Sequence, residues 1–345
     1  MKQSTKKEYP QAQAPVIHQV RESSNLAFQT NCETAIIPKP FIKWAGGKRQ
    51  LLPDIIRNLP SHFEHSQNMT YVEPFVGGGA VFFSLLERFP NITKAIINDI
   101  NGDLITTYTV IRDTPNALVD KLSELQSEYQ SLKSYEEQRA YYLCKRKEFN
   151  TKYRNDVETA SLVIFLNRTC FNGLYRVNSK GQFNVPCGRY LNPNICDEDT
   201  IFADSRVLQR VEILHGDFEH SIKDVSGNVF VYLDPPYKPL WETSSFNTYA
   251  KEGFDDTDQI RLHRFCQSLD SAGFFWMLSN SDLMGKNSQD DFFDRLYADF
   301  HIQRVYATRM INANPDKRGH LTELLITNYK PVLTMARNNA LDTLG

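Results

Sequence analysis

The segment Val229-Phe230-Val231-Tyr232-Leu233-Asp234-Pro235-Pro236-Tyr237 reads as an apolar strand followed at once by two prolines. Such a strand delivers Asp234 at its C-terminal end, where open α/β sheets bind ligands. A second segment supports the same architecture: Tyr71-Val72-Glu73-Pro74-Phe75-Val76-Gly77-Gly78-Gly79 places three glycines between a short strand (70–73) and a helix (79–88). A ligand can approach backbone closely there. Asp99 ends the next strand (95–98), about 20 residues beyond Gly79, the spacing at which an acidic side chain accepts hydrogen bonds from ribose hydroxyls. These two features alone fit a nucleotide-like cofactor, NAD included, and equally a tight turn with a strand-end aspartate. The GGG spacing departs from G-x-G-x-x-G and weakens the NAD version.

Working outward, residues 1–38 are rich in Gln, Ser, Thr, Lys and Asn, end in Pro38-Lys39-Pro40, and read as a flexible extension. A loop with Gly46 and Gly47 then leads into Leu51, Leu52, Ile55, Ile56 and Leu59 at helical spacing. After Asp99 a helix is expected over 103–112, and the charged amphipathic stretches 115–132 and 135–154 are helices outside the sheet. Residues 168–196, with Gly173, Gly181, Pro186, Gly188 and Pro193, suit loops and a hairpin. The α/β pattern resumes with strands at 211–214, 229–233 and 274–278 and a helix at 258–269. Strands at 302–308 and 323–329 form a hairpin that closes the sheet edge. Residues 333–345 are a tail.

The 345 residues are 41% hydrophobic and 23% charged, enough for one large α/β domain and a smaller one. No apolar run approaches the roughly 20 residues of a membrane span, and the N-terminus lacks targeting features, so a cytoplasmic protein is expected. Six cysteines without a CxxC pair suggest reduced thiols, with neither a disulfide framework nor a metal site. The net charge of -2 excludes a uniformly basic surface, which leaves local patches as the place to look for polyanion binding.

One patch lies between 168 and 190, where Arg168, Arg176, Lys180 and Arg189 occur without an Asp or Glu, alongside Phe171, Tyr175, Phe183 and Tyr190. Cations neutralise phosphate, and aromatics stack or wedge where a base has been removed; a solvated basic hairpin is the plainer reading. The Asp234 to Tyr237 motif has a matching chemistry. The N6 of adenine is a poor nucleophile because its lone pair is delocalised. The Asp234 carboxylate and a Pro235 carbonyl can hold both N–H groups and turn that lone pair towards a methyl donor, with the prolines lending rigidity and Tyr237 stacking on the base.

With Phe41-Ile42-Lys43-Trp44-Ala45-Gly46-Gly47-Lys48, Ile97-Asn98-Asp99-Ile100-Asn101 and the stretch from Asn172-Gly173-Leu174-Tyr175-Arg176 to Gly188-Arg189-Tyr190, these motifs closely resemble the Dam-type DNA adenine methyltransferases over about 40–330. The resemblance implies an α/β fold: a doubly wound S-adenosylmethionine-dependent methyltransferase core (39–103 and 204–332) with an inserted, mainly helical DNA-recognition domain (104–203). It implies methyl transfer to a flipped adenine in double-stranded DNA within GATC, or a longer site beginning GAT. Asp234, Pro235, Pro236 and Tyr237 would be catalytic. Trp44, Lys48, Glu73, Phe75, Gly77, Gly79, Asp99, Asp217 and Asp234 would bind S-adenosylmethionine, Asp217 beside its adenine. Lys43 and Arg176 would read guanine, Leu174 and Pro186 thymine, while Phe171 and Asn172 would fill the space left by the flipped base. Arg168, Arg189 and Tyr190 would also contact DNA. A cognate restriction endonuclease is a genetic partner consistent with the resemblance. Lys48 is no P-loop lysine, because GxxxxGK is absent and Arg49 stands where Ser or Thr is required. The Pro186-Cys187 pair resembles a cytosine-methylating nucleophile but lies in the recognition segment.

Overall fold

The computed structural model describes residues 36–151, 154–238, 254–285, 287–307 and 321–331. The N-terminal extension up to residue 35, residues 308–320 between the last two expected strands and the tail 333–345 lie outside the described residues. Among the described residues, strands β1 (Met69–Glu73), β2 (Ile92–Asp99), β3 (Val211–His215), β4 (Val229–Leu233), β5 (Phe275–Ser281), β6 (His301–Ala307) and β7 (Leu321–Thr327) form one sheet. Its order is β3-β2-β1-β4-β5-β7-β6. The first five are parallel, and β7 runs antiparallel to both β5 and β6.

This order puts a switch point between β1 and β4: the chain moves outward from β1 to β3 on one side, then from β4 on the other. The crevice at the carboxyl ends of β1 and β4 is where such sheets bind ligands. Because β7 is reversed, its first residues reach the same edge; Glu323 pairs with Ser281, the last residue of β5.

The helices are α1 (Leu52–Arg57), α2 (Ala80–Arg88), α3 (Gly102–Asp113), α4 (Pro115–Ser131), α5 (Tyr135–Phe149), α6 (Asp156–Thr169), α7 (Glu198–Leu208), α8 (Asp256–Ser271) and α9 (Phe292–Leu296). Alternate strand residues feed two cores. Tyr71, Phe230, Tyr232 and Met277 join Phe82, Leu85 and Leu104 of α2 and α3, while Val72, Val231, Leu233 and Trp276 pack with Leu262, Phe265 and Leu269 of α8. Burial on both faces explains why β4 is apolar but for the Tyr232 hydroxyl, each buried apolar side chain contributing about 1.5–3 kcal/mol.

Three helices were not foreseen in the sequence. In α6 the residues from Ala160 to Leu166 are all buried, so the helix has no polar face to reveal its period. Its start is nonetheless marked by a capping box, in which the Asn155 side chain accepts the Glu158 amide and Glu158 returns the bond to the Asn155 amide. Helices α7 and α9 are the others. The helix expected over 135–154 ends at Phe149, where Asn150 turns its side chain to clamp Phe183, accepting from its amide at 2.8 Å and donating to its carbonyl at 3.0 Å. Leu118 and Leu122 of α4, Tyr142 of α5 and Phe165 of α6 share one apolar cluster with the sheet. Segment 168–196 contains a single 3-10 turn, Phe171–Gly173, and two isolated antiparallel bridges, Cys170 with Cys187 and Val177 with Phe183. No helix among the described residues is long and apolar enough to cross a membrane.

Candidate active site

The loop after β1 forms one wall of the crevice. Gly77 and Gly79 adopt φ of 49° and 74°, which glycine tolerates without strain. Their lack of side chains also serves the protein itself. A Cβ on Gly77 would lie 2.8 Å from the Trp44 indole nitrogen, one on Gly78 2.8 Å from the Trp44 Cβ, and one on Gly79 2.6 Å from the Tyr108 hydroxyl. The glycines therefore admit Trp44 and Tyr108, a reason the sequence reading had not supplied. Asp99 closes this wall, its carboxylate accepting the Gly77 amide at 3.0 Å and the Asn101 amide at 2.9 Å. Burial raises its pKa, and these amides oppose the rise. Buried Asn98 donates to the carbonyls of Pro74 at 3.0 Å and Gly216 at 2.9 Å, joining the loops after β1 and β3. Phe75 packs on Phe218 and Phe254. Asp217 accepts the Glu219 amide and pairs with Arg261 at 2.8 Å; burial pushes its carboxyl up, but those two partners outweigh it and hold it low.

The loop after β4 forms the opposite wall. Lys48, only 6% exposed, places Nζ 2.8 Å from Asp234 Oδ1, 2.8 Å from the Gly46 carbonyl and 4.4 Å from the centre of the Tyr237 ring. Burial lifts the Asp234 pKa and the Glu323 charge adds to it, while Lys48 pulls it back. The Tyr237 hydroxyl donates to Glu323 Oε2 at 2.8 Å, and the Pro236 carbonyl faces the Gln259 amide. Beneath Asp234, the Tyr71 hydroxyl donates to Glu73, whose carboxyl is raised well above its ordinary value by burial and by Asp234, with Tyr71 and Lys48 opposing. Tyr232 and Ser279 share a further buried bond of 2.6 Å.

A second surface adjoins this crevice. Asn167 holds it together, accepting the Lys43 amide and donating to the carbonyls of Lys43 and Gly173. Lys43 lies over Gly173 with Nζ 5.3 Å from the Tyr190 ring, and the Phe171 amide reaches the Pro186 carbonyl. Phe171 is 52% exposed, and Asn172 takes a left-handed φ of 56°. Arg176 is pinned by the Asn184 side chain at 2.7 Å, and Arg189 lies over the Tyr135 ring. Trp44 bridges the two regions: it covers the glycine loop and stacks on Tyr175, whose hydroxyl donates to Asp103.

A family model described as D12 class N6 adenine-specific DNA methyltransferase matches residues 44–311. The chain belongs to this family. The methyltransferase is 49% identical over 295 residues to Type II methyltransferase M.MjaIII of Methanocaldococcus jannaschii, covering 84% of this chain and 99% of that protein. It is 43% identical over 296 residues to Type II methyltransferase M1.LlaDCHI of Lactococcus lactis subsp. cremoris, covering 84% and 95%. A DNA adenine methylase of Vibrio cholerae is 33% identical over 290 residues, covering 83% and 95%. The Dam-type resemblance thus holds, and the enzyme is an adenine-specific DNA methyltransferase.

The methyltransferase gathers Trp44, Lys48, Glu73, Gly77, Gly79, Asp99, Asp234 and Tyr237 about one crevice, and Lys43, Phe171, Asn172, Pro186 and Tyr190 on the adjoining surface. Arg168 stands apart from that surface, its guanidinium directed to the Phe41 carbonyl at 2.7 Å and its pKa lowered by burial. Asn167, Gln259 and Glu323 were not singled out in the sequence. For Asn167 a signal existed, a polar side chain closing an otherwise apolar run; for Glu323 none did, because 86 residues separate it from its partner. Among the described residues no group of His, Cys, Asp or Glu side chains could hold a metal ion.

Proposed function

We propose that this enzyme transfers the methyl group of S-adenosylmethionine to N6 of an adenine flipped out of double-stranded DNA, within GATC. The observation that carries the reading is the placement of Asp234 and Tyr237 across the switch point from the glycine loop and Asp99. The crevice fits a nucleoside-bearing donor: Asp99 ends β2 beside the glycine loop, and Phe75 offers an aromatic face. S-adenosylmethionine, when bound, supplies an electrophilic methyl on a sulfonium.

The remaining chemistry belongs to the chain. Lys48 favours the ionised carboxylate of Asp234 by occupying Oδ1, so that Oδ2 accepts from the N6 amino group, with the Pro235 carbonyl as the second acceptor. Held so, the nitrogen lone pair points along the line of transfer. S-adenosylmethionine held there would supply the methyl and keep the electron pair of its broken C–S bond, and the methylated nitrogen would then release its extra proton to water. Positioning and lone-pair orientation carry the acceleration, with no covalent enzyme intermediate. Tyr237 stacks on the extruded base, while exposed Phe171 and Asn172 fill the vacated space in the duplex.

Lys43 and Arg176 are placed to read guanine, and Leu174 and Pro186 thymine methyls. The segment 104–203 acts as the DNA-reading part of the molecule, and the enzyme works in the cytoplasm, alone or beside a cognate restriction endonuclease. Methyl incorporation into adenine-unmethylated plasmid, followed by nucleoside chromatography, tests the chemistry. N6-methyladenine is expected with the wild type, at a rate reduced about a hundredfold or more in Asp234→Ala. An Asp234→Ala variant of wild-type rate would remove the proposed role.

A further inference from the structure

Tyr237 closes the catalytic motif, yet its ring plane is not fixed by the prolines that precede it. The hydroxyl is anchored on a different strand, donating to Glu323 Oε2 at 2.8 Å. Glu323 lies on β7, opposite Ser281 of β5 and Val305 of β6, and is 8% exposed. The reversed direction of β7 brings this position to the ligand-binding edge. Its neighbours Leu324 and Leu325 are buried and apolar. A hydrophobe at 323 would serve the sheet at least as well, since burying a carboxylate is costly unless it is hydrogen-bonded. Lys48 rests on the face of the same ring, 4.4 Å from its centre, so the phenol is held both at its hydroxyl and across its face.

We propose that Glu323 is a positioning residue for methyl transfer: by accepting the Tyr237 hydroxyl, it fixes the plane of the ring against which the target base is held. This rests on the reading that Tyr237 carries the extruded adenine. The carboxylate touches neither base nor donor; it acts through the tyrosine.

The test is single-turnover methylation of adenine-unmethylated plasmid DNA at saturating S-adenosylmethionine, with affinity for S-adenosylmethionine measured separately by calorimetry. Glu323→Ala and Tyr237→Phe should each slow transfer about tenfold, the scale of one hydrogen bond to a charged acceptor. The double variant should be no slower than either alone, because both remove one interaction. Glu323→Gln keeps an acceptor and should recover most of the loss, and S-adenosylmethionine affinity should stay within about twofold throughout. A Tyr237→Phe enzyme of wild-type rate, losses that multiply in the double variant, or a Glu323→Ala loss that follows weakened S-adenosylmethionine binding would each overturn the proposal. Should Glu323→Ala fail to fold, Tyr237→Phe decides, since it leaves β7 untouched. Tyr237→Ala tests the underlying reading separately: a wild-type rate without the ring would refute the base-holding role itself.

Discussion

Asp234 holds the hydrogens of an amino group most strongly while ionised, and burial works against that state. Its pKa is raised, so methyl transfer should fail on the acid side at a higher pH than an ordinary carboxylate would impose. Lys48 is the group that limits the rise. Replacing it by methionine should move the acid limb of the rate profile upward by roughly one unit, the size of effect a neighbouring opposite charge exerts. The profile is to be measured at saturating S-adenosylmethionine, and an unmoved limb would sever Lys48 from Asp234. At this scale the sequence was highly legible where a short motif carries its own chemistry. Asp234 and Asp99 stand at strand ends because apolar runs precede them. What the sequence did not show is where a charge turns inward: Arg168 lies in a basic, aromatic segment, and its guanidinium donates to the Phe41 carbonyl.

Strands and helices were legible in proportion to their contrast with solvent. The parallel strands read clearly, and so did the final hairpin, whose antiparallel pairing of His301–Ala307 with Leu321–Thr327 follows from two β-rich runs. Helix α6 was hidden because it is buried all round and has no polar stripe. Its capping box was the available signal. Asn155→Ala should destabilise the protein by about 1 kcal/mol, read from urea unfolding, because it leaves the Glu158 amide unbonded at the helix start. An unchanged midpoint would mean that tertiary packing alone defines the start of α6. The loop after β1 shows the opposite case: its glycines were recognised, but Trp44 and Tyr108, which occupy their missing side-chain space, come from far along the chain.

Across the whole molecule, the switch point between β1 and β4 could be anticipated from the alternation of strands and helices, whereas the approach of β7 to the active site could not. Glu323 reaches Tyr237 only because β7 is reversed between β5 and β6. Another long-range tie links folding to pH. Asp204 of α7 accepts the Lys39 amide at 3.0 Å, and burial pushes its carboxyl up to about 8. The folded chain thus retains a proton that the unfolded chain releases, so this contribution to stability is fully present below the ordinary carboxylate range and is lost as pH rises towards about 8. Asp204→Asn keeps the acceptor and removes the titration. Its unfolding midpoint should vary less between pH 5 and 8 than that of the wild type, and parallel curves would contradict this assignment.

The most direct test of the account is single-molecule sequencing of plasmid DNA from a methylation-deficient host expressing the chain, with Asp234→Ala expressed in parallel. N6-methyladenine confined to GATC in the wild type, and absent or nearly so with Asp234→Ala, is the expected result. Methylation at an unrelated sequence would contradict the roles given to Lys43, Leu174, Arg176 and Pro186, and undiminished methylation by Asp234→Ala would contradict the mechanism itself.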